Sequence, residues 1–206
     1  MKAIAVPCLS WQKAIFACEK SACTGMNHNP AIVISYYQSP CGQLVLGEWG
    51  GELCLCDWDV KSRFKIIGNR LLKHLQAVAF EWGDTPLLRQ AASQLDEYFQ
   101  RERRTFDLPL CFAGTPFQEK VWHLLLGIDY GRTISYSDLS LLLRSPKAIR
   151  AVASAVGANA MSIIVPCHRV IGVDGSLTGY AGGLSAKRYL LDLENHVQYS
   201  PLSEGF

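Results

Sequence analysis

Ser162-Ile163-Ile164-Val165-Pro166-Cys167-His168-Arg169-Val170-Ile171 is the stretch around which the rest of the chain is organised. Its first half is apolar, β-branched and uncharged, the pattern of a buried strand. Pro166 cannot donate to a sheet ladder, so the strand is predicted to end there. Cys167 is then left at the mouth of a hydrophobic wall, with a histidine and an arginine beside it. The thiolate is the reactive form of cysteine and nearby cations stabilise it, so Cys167 is a candidate nucleophile. A buried structural cysteine next to a solvated His-Arg pair fits the same stretch, because most free cysteines pack as small hydrophobes.

Working outward, the 206 residues are 49% apolar and 18% charged, which describes a folded chain of one domain or two small ones. The net charge of +2 announces no polyanionic partner, but its distribution is uneven. Between Gly131 and Leu190 stand Arg132, Arg144, Lys147, Arg150, Arg169, Lys187 and Arg188 against only Asp138 and Asp174. Such a patch suits a phosphate backbone, and also an ordinary solvated face. The eight cysteines include no CxxC pair, so they read as reduced thiols of a cytoplasmic protein and not as a disulfide framework. Cys54 and Cys56 alternate in a predicted strand and should share a face. Cys8, Cys18, Cys23 and His28 match no standard zinc spacing. No run of 18 apolar residues predicts a membrane span, and the first 25 residues lack the apolar core of a signal peptide.

Upstream, Ile32 to Tyr37, Gln43 to Trp49 and Glu52 to Trp58 read as strands, with turns at Ser39-Pro40-Cys41-Gly42 and Gly50-Gly51. A small antiparallel meander is expected. Helical spacing follows over Arg70 to Ala79 and over Thr85 to Arg101, where Leu88, Ala91, Ala92, Leu95 and Phe99 form one face. Thr105 to Gly114 reads as an extended linker between domains. Thr115, Pro116 and Gln118 make a capped helix start. A short helix around Ser137 to Leu143, then Ser145-Pro146 opening Lys147 to Val156, outline a helix-turn-helix. The second helix is rich in alanine around Arg150. It suits either close packing or close approach to a nucleic-acid groove. Asn159 lies where its amide could brace the helix end and the cysteine strand, or simply end the helix. Beyond Cys167, five glycines from Gly172 to Gly183 make a loop that can fold against a ligand. Ser185 is read as the cap of a last helix to His196. Within it Glu194 sits among leucines, where a carboxylate needs a partner; His168 is the candidate.

Pro166-Cys167-His168-Arg169-Val170, together with Tyr136, Arg150-Ala151-Val152-Ala153, Asn159, Tyr180, Gly182-Gly183-Leu184, Lys187 and Glu194, resembles the O6-alkylguanine-DNA alkyltransferases, the methylated-DNA–protein-cysteine methyltransferases. The resemblance is strong from about Thr115 to Glu194 and weaker over Ser39-Pro40-Cys41-Gly42 and the strands after it. It implies an α+β fold: a small N-terminal antiparallel sheet with helices, then a mostly helical domain with a helix-turn-helix. The division expected is 1–25 as an extension, 26–104 as the α+β domain, 105–114 as linker, 115–196 as the DNA-binding and alkyl-acceptor domain, and 197–206 as tail.

The resemblance also implies a mechanism. Duplex DNA carrying an alkylated guanine, or O4-alkylthymine, would be bound through the minor groove and the base turned out into a pocket. Arg150, with Ala151, would face the DNA and Arg150 would fill the gap in the stack. Tyr136 would press on the backbone. Cys167 would take the alkyl group, His168 backed by Glu194 would accept the thiol proton, and Asn159 would brace the thiol. Tyr136 or Lys187 would assist the departing guanine, with Val170, Tyr180 and Ala181 around the base. Each molecule would act once, as a monomer, with no cofactor and no membrane. Ala181 stands where some relatives have serine, so only its backbone N–H could bind. Trp49 and Cys54 stand where some relatives place zinc ligands, so no metal is expected. The phosphotriester-repairing domain fused to some relatives is not expected either. A module that binds alkylated bases and recruits other factors is the competing reading, and a cysteine hydrolase a third.

Overall fold

The structure, a computed structural model, describes residues 31–195. The expected N-terminal extension, the Cys8, Cys18, Cys23 and His28 group, and the C-terminal tail lie outside the described residues.

Strands β1 (Ala31–Ser39), β2 (Gly42–Trp49) and β3 (Glu52–Trp58) form the expected meander. Gly50 and Gly51 both take positive φ, +61° and +84°, as a two-residue hairpin with the right twist demands. The sheet is mixed, because β4 (Ala79–Trp82) adds parallel to β1 in the order β3-β2-β1-β4. The crossover from β3 to β4 is helix α1, Lys61–Leu75. It begins well before the expected Arg70 and ends before Ala79. Val60 supplies no side-chain cap and Gln76, not glycine, takes the left-handed closing conformation, so neither end carries its usual sequence signal. The register steps from Leu55 opposite Gly47 to Leu53 opposite Glu48, leaving Cys54 as a bulged residue. Cys54 therefore packs with Ile32, Val45 and α1, while Cys56 packs with Leu44, Trp58 and the next helix. The two thiols do not share a face.

Helix α2 (Pro86–Phe99) starts at Thr85, whose side chain accepts from the Leu88 N–H. Leu88, Ala91, Leu95 and Tyr98 cover the sheet face opposite α1. Residues 105–114 run along the free edge of β3: Leu53 N–H donates to Pro109 O at 2.8 Å and Cys111 N–H to Leu53 O at 2.9 Å.

Helix α3 (Pro116–Leu126) carries the full Thr115/Gln118 capping box. Strand β5 (Ile134–Ser135) leads into α4 (Tyr136–Leu142), and a turn leads into α5 (Ile149–Gly157). Ser145 does not cap α5: its hydroxyl turns back to Leu143 O, its carbonyl accepts from Ala148 N–H, and the helix starts later, uncapped, at Ile149. Trp122 of α3 donates to Ala155 O at 2.8 Å and ties α5 down.

The predicted strand at Ser162–Val165 is buried throughout but is not a strand. Only Met161 bridges, to Cys56, before the chain folds into a turn with Ile163 at φ +72°. A continuous apolar run reports burial, not backbone shape. A left-handed β-branched residue costs on the order of 1–3 kcal/mol, which burial on all sides sustains. Cys167–Arg169 form a single 3-10 turn, Val170–Ile171 make β6, parallel to β5, and α6 spans Gly183–Glu194. Helix α6 starts at Gly182 with no side-chain cap, so Ser185 lies inside it. Its Ala186, Leu190 and Leu193 join Ile163 and Ile164 in the α2 cluster, so the two halves of the chain share a core.

Candidate active site

A cleft of about 530 Å³ opens between α5, the 172–182 loop and α1, and Arg63, Tyr136, Arg150, Cys167, Tyr180 and Ala181 line it. Cys167 starts the 3-10 turn that Pro166 introduces. Asn159 leaves the end of α5 with all its polar atoms engaged. Its Oδ1 accepts from Met161 N–H at 2.9 Å, and its Nδ2 donates to Val165 O at 3.0 Å and to Cys167 Sγ at 3.2 Å. Burial pushes the Cys167 thiol up, against the pull of the Asn159 hydrogen bond and of the Arg63 and Lys187 cations. The resting group is therefore a thiol that needs a base.

His168 is fully buried and its Nε2 lies 2.8 Å from Glu194 Oε1. Burial holds the imidazole below its usual pKa, so it is neutral at neutral pH. Burial opposes the Glu194 charge, but hydrogen bonds from His168 and Arg169 hold the carboxyl well below the usual range. An ionised carboxylate only accepts, so Nε2 carries the proton and Nδ1 is a bare acceptor. That Nδ1 is buried with no hydrogen-bond partner among the described residues. No hydrogen bond joins it directly to the thiol.

Lys187 is fully buried, and its Nζ donates to Val170 O at 2.6 Å and Thr178 O at 2.9 Å. Its ammonium therefore ties β6 to the glycine-rich loop, and burial lowers its pKa. Val170 is buried outside the cleft lining, with its carbonyl engaged by Lys187. Tyr136 opens α4 at the cleft wall; burial raises its phenol, with the Thr178 hydroxyl offsetting part of the rise. The Tyr180 hydroxyl is buried beside the Trp58 indole, and the ring stands edge-on to it at 5.8 Å. Gly182 sits against that indole: a Cβ there would lie 2.4 Å from Trp58 Cε2. Arg150 and Ala151 are exposed on α5, and Arg150 borders the cleft. Of the seven basic residues read as a patch, Arg169 and Lys187 are buried and belong to the site's interior.

Four participants escape the sequence reading. Arg169 takes both Glu194 oxygens, through Nε at 2.9 and 3.2 Å and Nη2 at 2.8 Å, and donates to Ile128 O. Tyr98 of α2 donates to Glu194 Oε1 at 2.8 Å. Arg63 and Asp57 reach the site from α1 and β3. Arg169 stood inside the motif and only its direction was hidden. Tyr98, Arg63 and Asp57 carried no local signal.

Residues 116–196 match the 6-O-methylguanine DNA methyltransferase DNA binding domain, and residues 32–112 match the ribonuclease-like domain of the same proteins. The methylated-DNA–protein-cysteine methyltransferase of Haemophilus influenzae is 38% identical over 168 residues, covering 80% of this chain and 87% of its own. The chain belongs to the methylated-DNA–protein-cysteine methyltransferase family. The constitutive member of Bacillus subtilis is 52% identical over 115 residues, 55% of this chain and 70% of its own. Among solved structures, Mycobacterium tuberculosis OGT in complex with DNA superposes with a TM-score of 0.68 at 38% identity, covering 80% of this chain and 94% of that one. Helices α4 and α5, joined by a turn, fall within the residues that match the DNA binding domain, and Cys167 lies in the cleft that α5 borders. Among the described residues no helix is long and apolar enough to cross a membrane.

Proposed function

We infer that this protein repairs DNA by direct transfer of an alkyl group from O6-alkylguanine, or O4-alkylthymine, in duplex DNA to Cys167. The observation that carries the reading is the Asn159–Cys167 contact at 3.2 Å at the wall of a cleft that Arg150 borders. A thiol held by one donor and facing a base-sized space suits an in-line displacement at carbon.

The exposed face of α5 enters the minor groove and the damaged base turns out into the cleft, at a cost of about a few kcal/mol in stacking. Arg150 takes the vacated place, and Ala151 lets the helix approach closely. Neutral His168 accepts the thiol proton at Nδ1 through a water, and Glu194 and Arg169 hold the ring. The Sγ–C bond forms as the C–O6 bond breaks, and the guanine leaves as its N1/O6 anion, which takes a proton from Tyr136; the proton taken up by His168 returns through water to the Tyr136 phenolate. Lys187 ties the Thr178 carbonyl at the cleft wall to the Val170 carbonyl behind it, and Tyr180 and the Ala181 N–H face the base. The thioether is stable, so each monomer acts once.

The test is mass spectrometry after incubation with a duplex containing O6-methylguanine. One added methyl on the Cys167 peptide, with one equivalent of guanine restored per protein, is expected. Retained binding to the duplex with an unchanged mass would instead leave a recognition module without chemistry.

A further inference from the structure

We propose that Asp57 and Arg63, both from the N-terminal half, form a positioning pair for the transfer step, holding Asn159 and the end of α5 in register with Cys167. This rests on the reading of Cys167 as the alkyl acceptor.

One guanidinium holds three acceptors. Arg63 Nε donates to Asp57 Oδ2 at 2.6 Å, Nη1 to Gly157 O at 2.8 Å, and Nη2 to Asn159 O at 2.6 Å. Gly157 is the last residue of α5, so its carbonyl is one that the helix leaves unpaired. Asn159 is the residue whose amide holds the thiol. Asp57, in turn, is buried at the end of β3 and uses its second oxygen to accept from Ser162 Oγ at 3.0 Å and Trp58 N–H at 3.0 Å. The pair therefore clamps residues 157–162 from both ends: Arg63 holds the carbonyls at 157 and 159, and Asp57 the hydroxyl at 162. Between them lie Asn159 and the backbone leading to Cys167. A planar guanidinium spreads its donors over three nitrogens and so spans three splayed acceptors, whereas the three donors of an ammonium diverge from one nitrogen.

Arg63 also lines the cleft that holds the thiol. Its charge favours the Cys167 thiolate, while Asp57 disfavours it. The other polar or titratable groups near that sulfur are Lys187 of α6, Tyr136 of α4, Tyr180 of the loop, Cys56 of β3 and His168 next in the chain. None of these is hydrogen-bonded by Arg63 or Asp57, although the Asp57 charge also bears on Cys56 and Tyr180. The pair thus differs from Arg150, which acts only when DNA is present.

The experiment uses the full chain with Arg63→Lys, Arg63→Ala and Asp57→Asn. Two readouts are taken: the rate of Cys167 alkylation by free O6-benzylguanine, and the pH profile of Cys167 carbamidomethylation by iodoacetamide, followed on the Cys167 peptide. Arg63→Ala and Arg63→Lys are expected to slow the free-base reaction at least about tenfold, because a displacement of about 1 Å of a reacting group costs up to about 10²-fold. The carbamidomethylation profile should move to higher pH in Arg63→Ala and to lower pH in Asp57→Asn. A pair that merely supports the fold would not move them in opposite directions. Should Arg63→Ala fail to fold, Arg63→Lys and Asp57→Asn decide alone. Free-base rates within twofold of wild type in both, or an Asp57→Asn profile that stays put or rises, overturn the proposal. Iodoacetamide needs no DNA, so a wild-type protein that takes no methyl from DNA fails the repair reading separately.

Discussion

His168 and Glu194 meet in a fully buried contact of 2.8 Å, and the same carboxylate receives Arg169, Tyr98 and, through Oε2 at 3.0 Å, the N–H of Gly131. The imidazole is thereby fixed from one side only. Its Nδ1 faces away with no hydrogen-bond partner among the described residues. The cluster neutralises itself: one carboxylate against the always-charged guanidinium leaves a neutral histidine in its basic form.

Removing that carboxylate charge should be costly. Glu194→Gln leaves Arg169 as a buried cation without a counter-ion, a defect of about 3–5 kcal/mol. Chemical denaturation at pH 7 measures the loss; a change below about 1 kcal/mol would mean that the pair is effectively solvated.

The same group sets an acid limit. Its folded pKa is depressed below the unfolded value of 4.5, so its contribution to stability is complete above that pH and is lost as pH falls through the window beneath it. Wild-type stability should therefore decline from about pH 5 downward. Glu194→Gln should start lower and decline less over that range. Parallel curves for the two proteins would contradict the assignment.

Arg150→Ala separates docking from chemistry. Arg150 is exposed on α5 and is one of the residues lining the cleft. Repair of O6-methylguanine in duplex DNA should drop by at least about 10-fold, the scale of about 1.4 kcal/mol of lost base-extrusion energy. Reaction with free O6-benzylguanine should stay close to wild type. Equal losses on both substrates would remove Arg150 from base extrusion.

Asn159→Ala deletes the only hydrogen bond on the Cys167 sulfur among the described residues, orphans Met161 N–H, and leaves Val165 O with Cys167 N–H alone. The destabilisation should be about 1–3 kcal/mol for each unsatisfied group that water cannot reach. The thiol should also titrate higher, since the Asn159 bond now lowers it. Carbamidomethylation by iodoacetamide against pH reads the shift, and an unmoved profile would show that the amide does not act on the sulfur.

Gly182→Ala places a methyl 2.4 Å from the Trp58 indole, which is itself buried against the sheet. Overpacking of this kind costs about 1–3 kcal/mol. The thermal midpoint should fall and the Tyr180–Ala181 segment beside the cleft should shift. An unchanged midpoint together with an unchanged free-base rate would mean the indole swings aside.

The elements read well where their signals are local. The β1–β3 meander rests on alternation and on a Gly-Gly turn; α2 and α3 start at threonines followed by prolines. They read poorly where the ends lack such residues, as at Val60, Gln76, Ala148 and Gly182. Cys167, His168 and the candidate Glu194 were visible because unusual residue types stood in apolar surroundings. Arg169 looked like surface charge because nothing local reveals which way a guanidinium turns.

By itself the sequence determined the reagent and its immediate setting: a cysteine after a proline, an asparagine closing the preceding helix, an arginine among alanines, and a lone glutamate among leucines. Those features depend on residues a few positions apart. Only the tertiary structure decided that the wall before Cys167 is a turn with a left-handed Ile163. It alone brought Tyr98 to Glu194 across 96 positions, Asp57 to Ser162 across 105, and Arg63 to Asn159 across 96. The reason is physical. A buried carbonyl or carboxylate dictates that some donor must reach it, but which distant donor arrives depends on how sheet, helices and loop pack into a shared core.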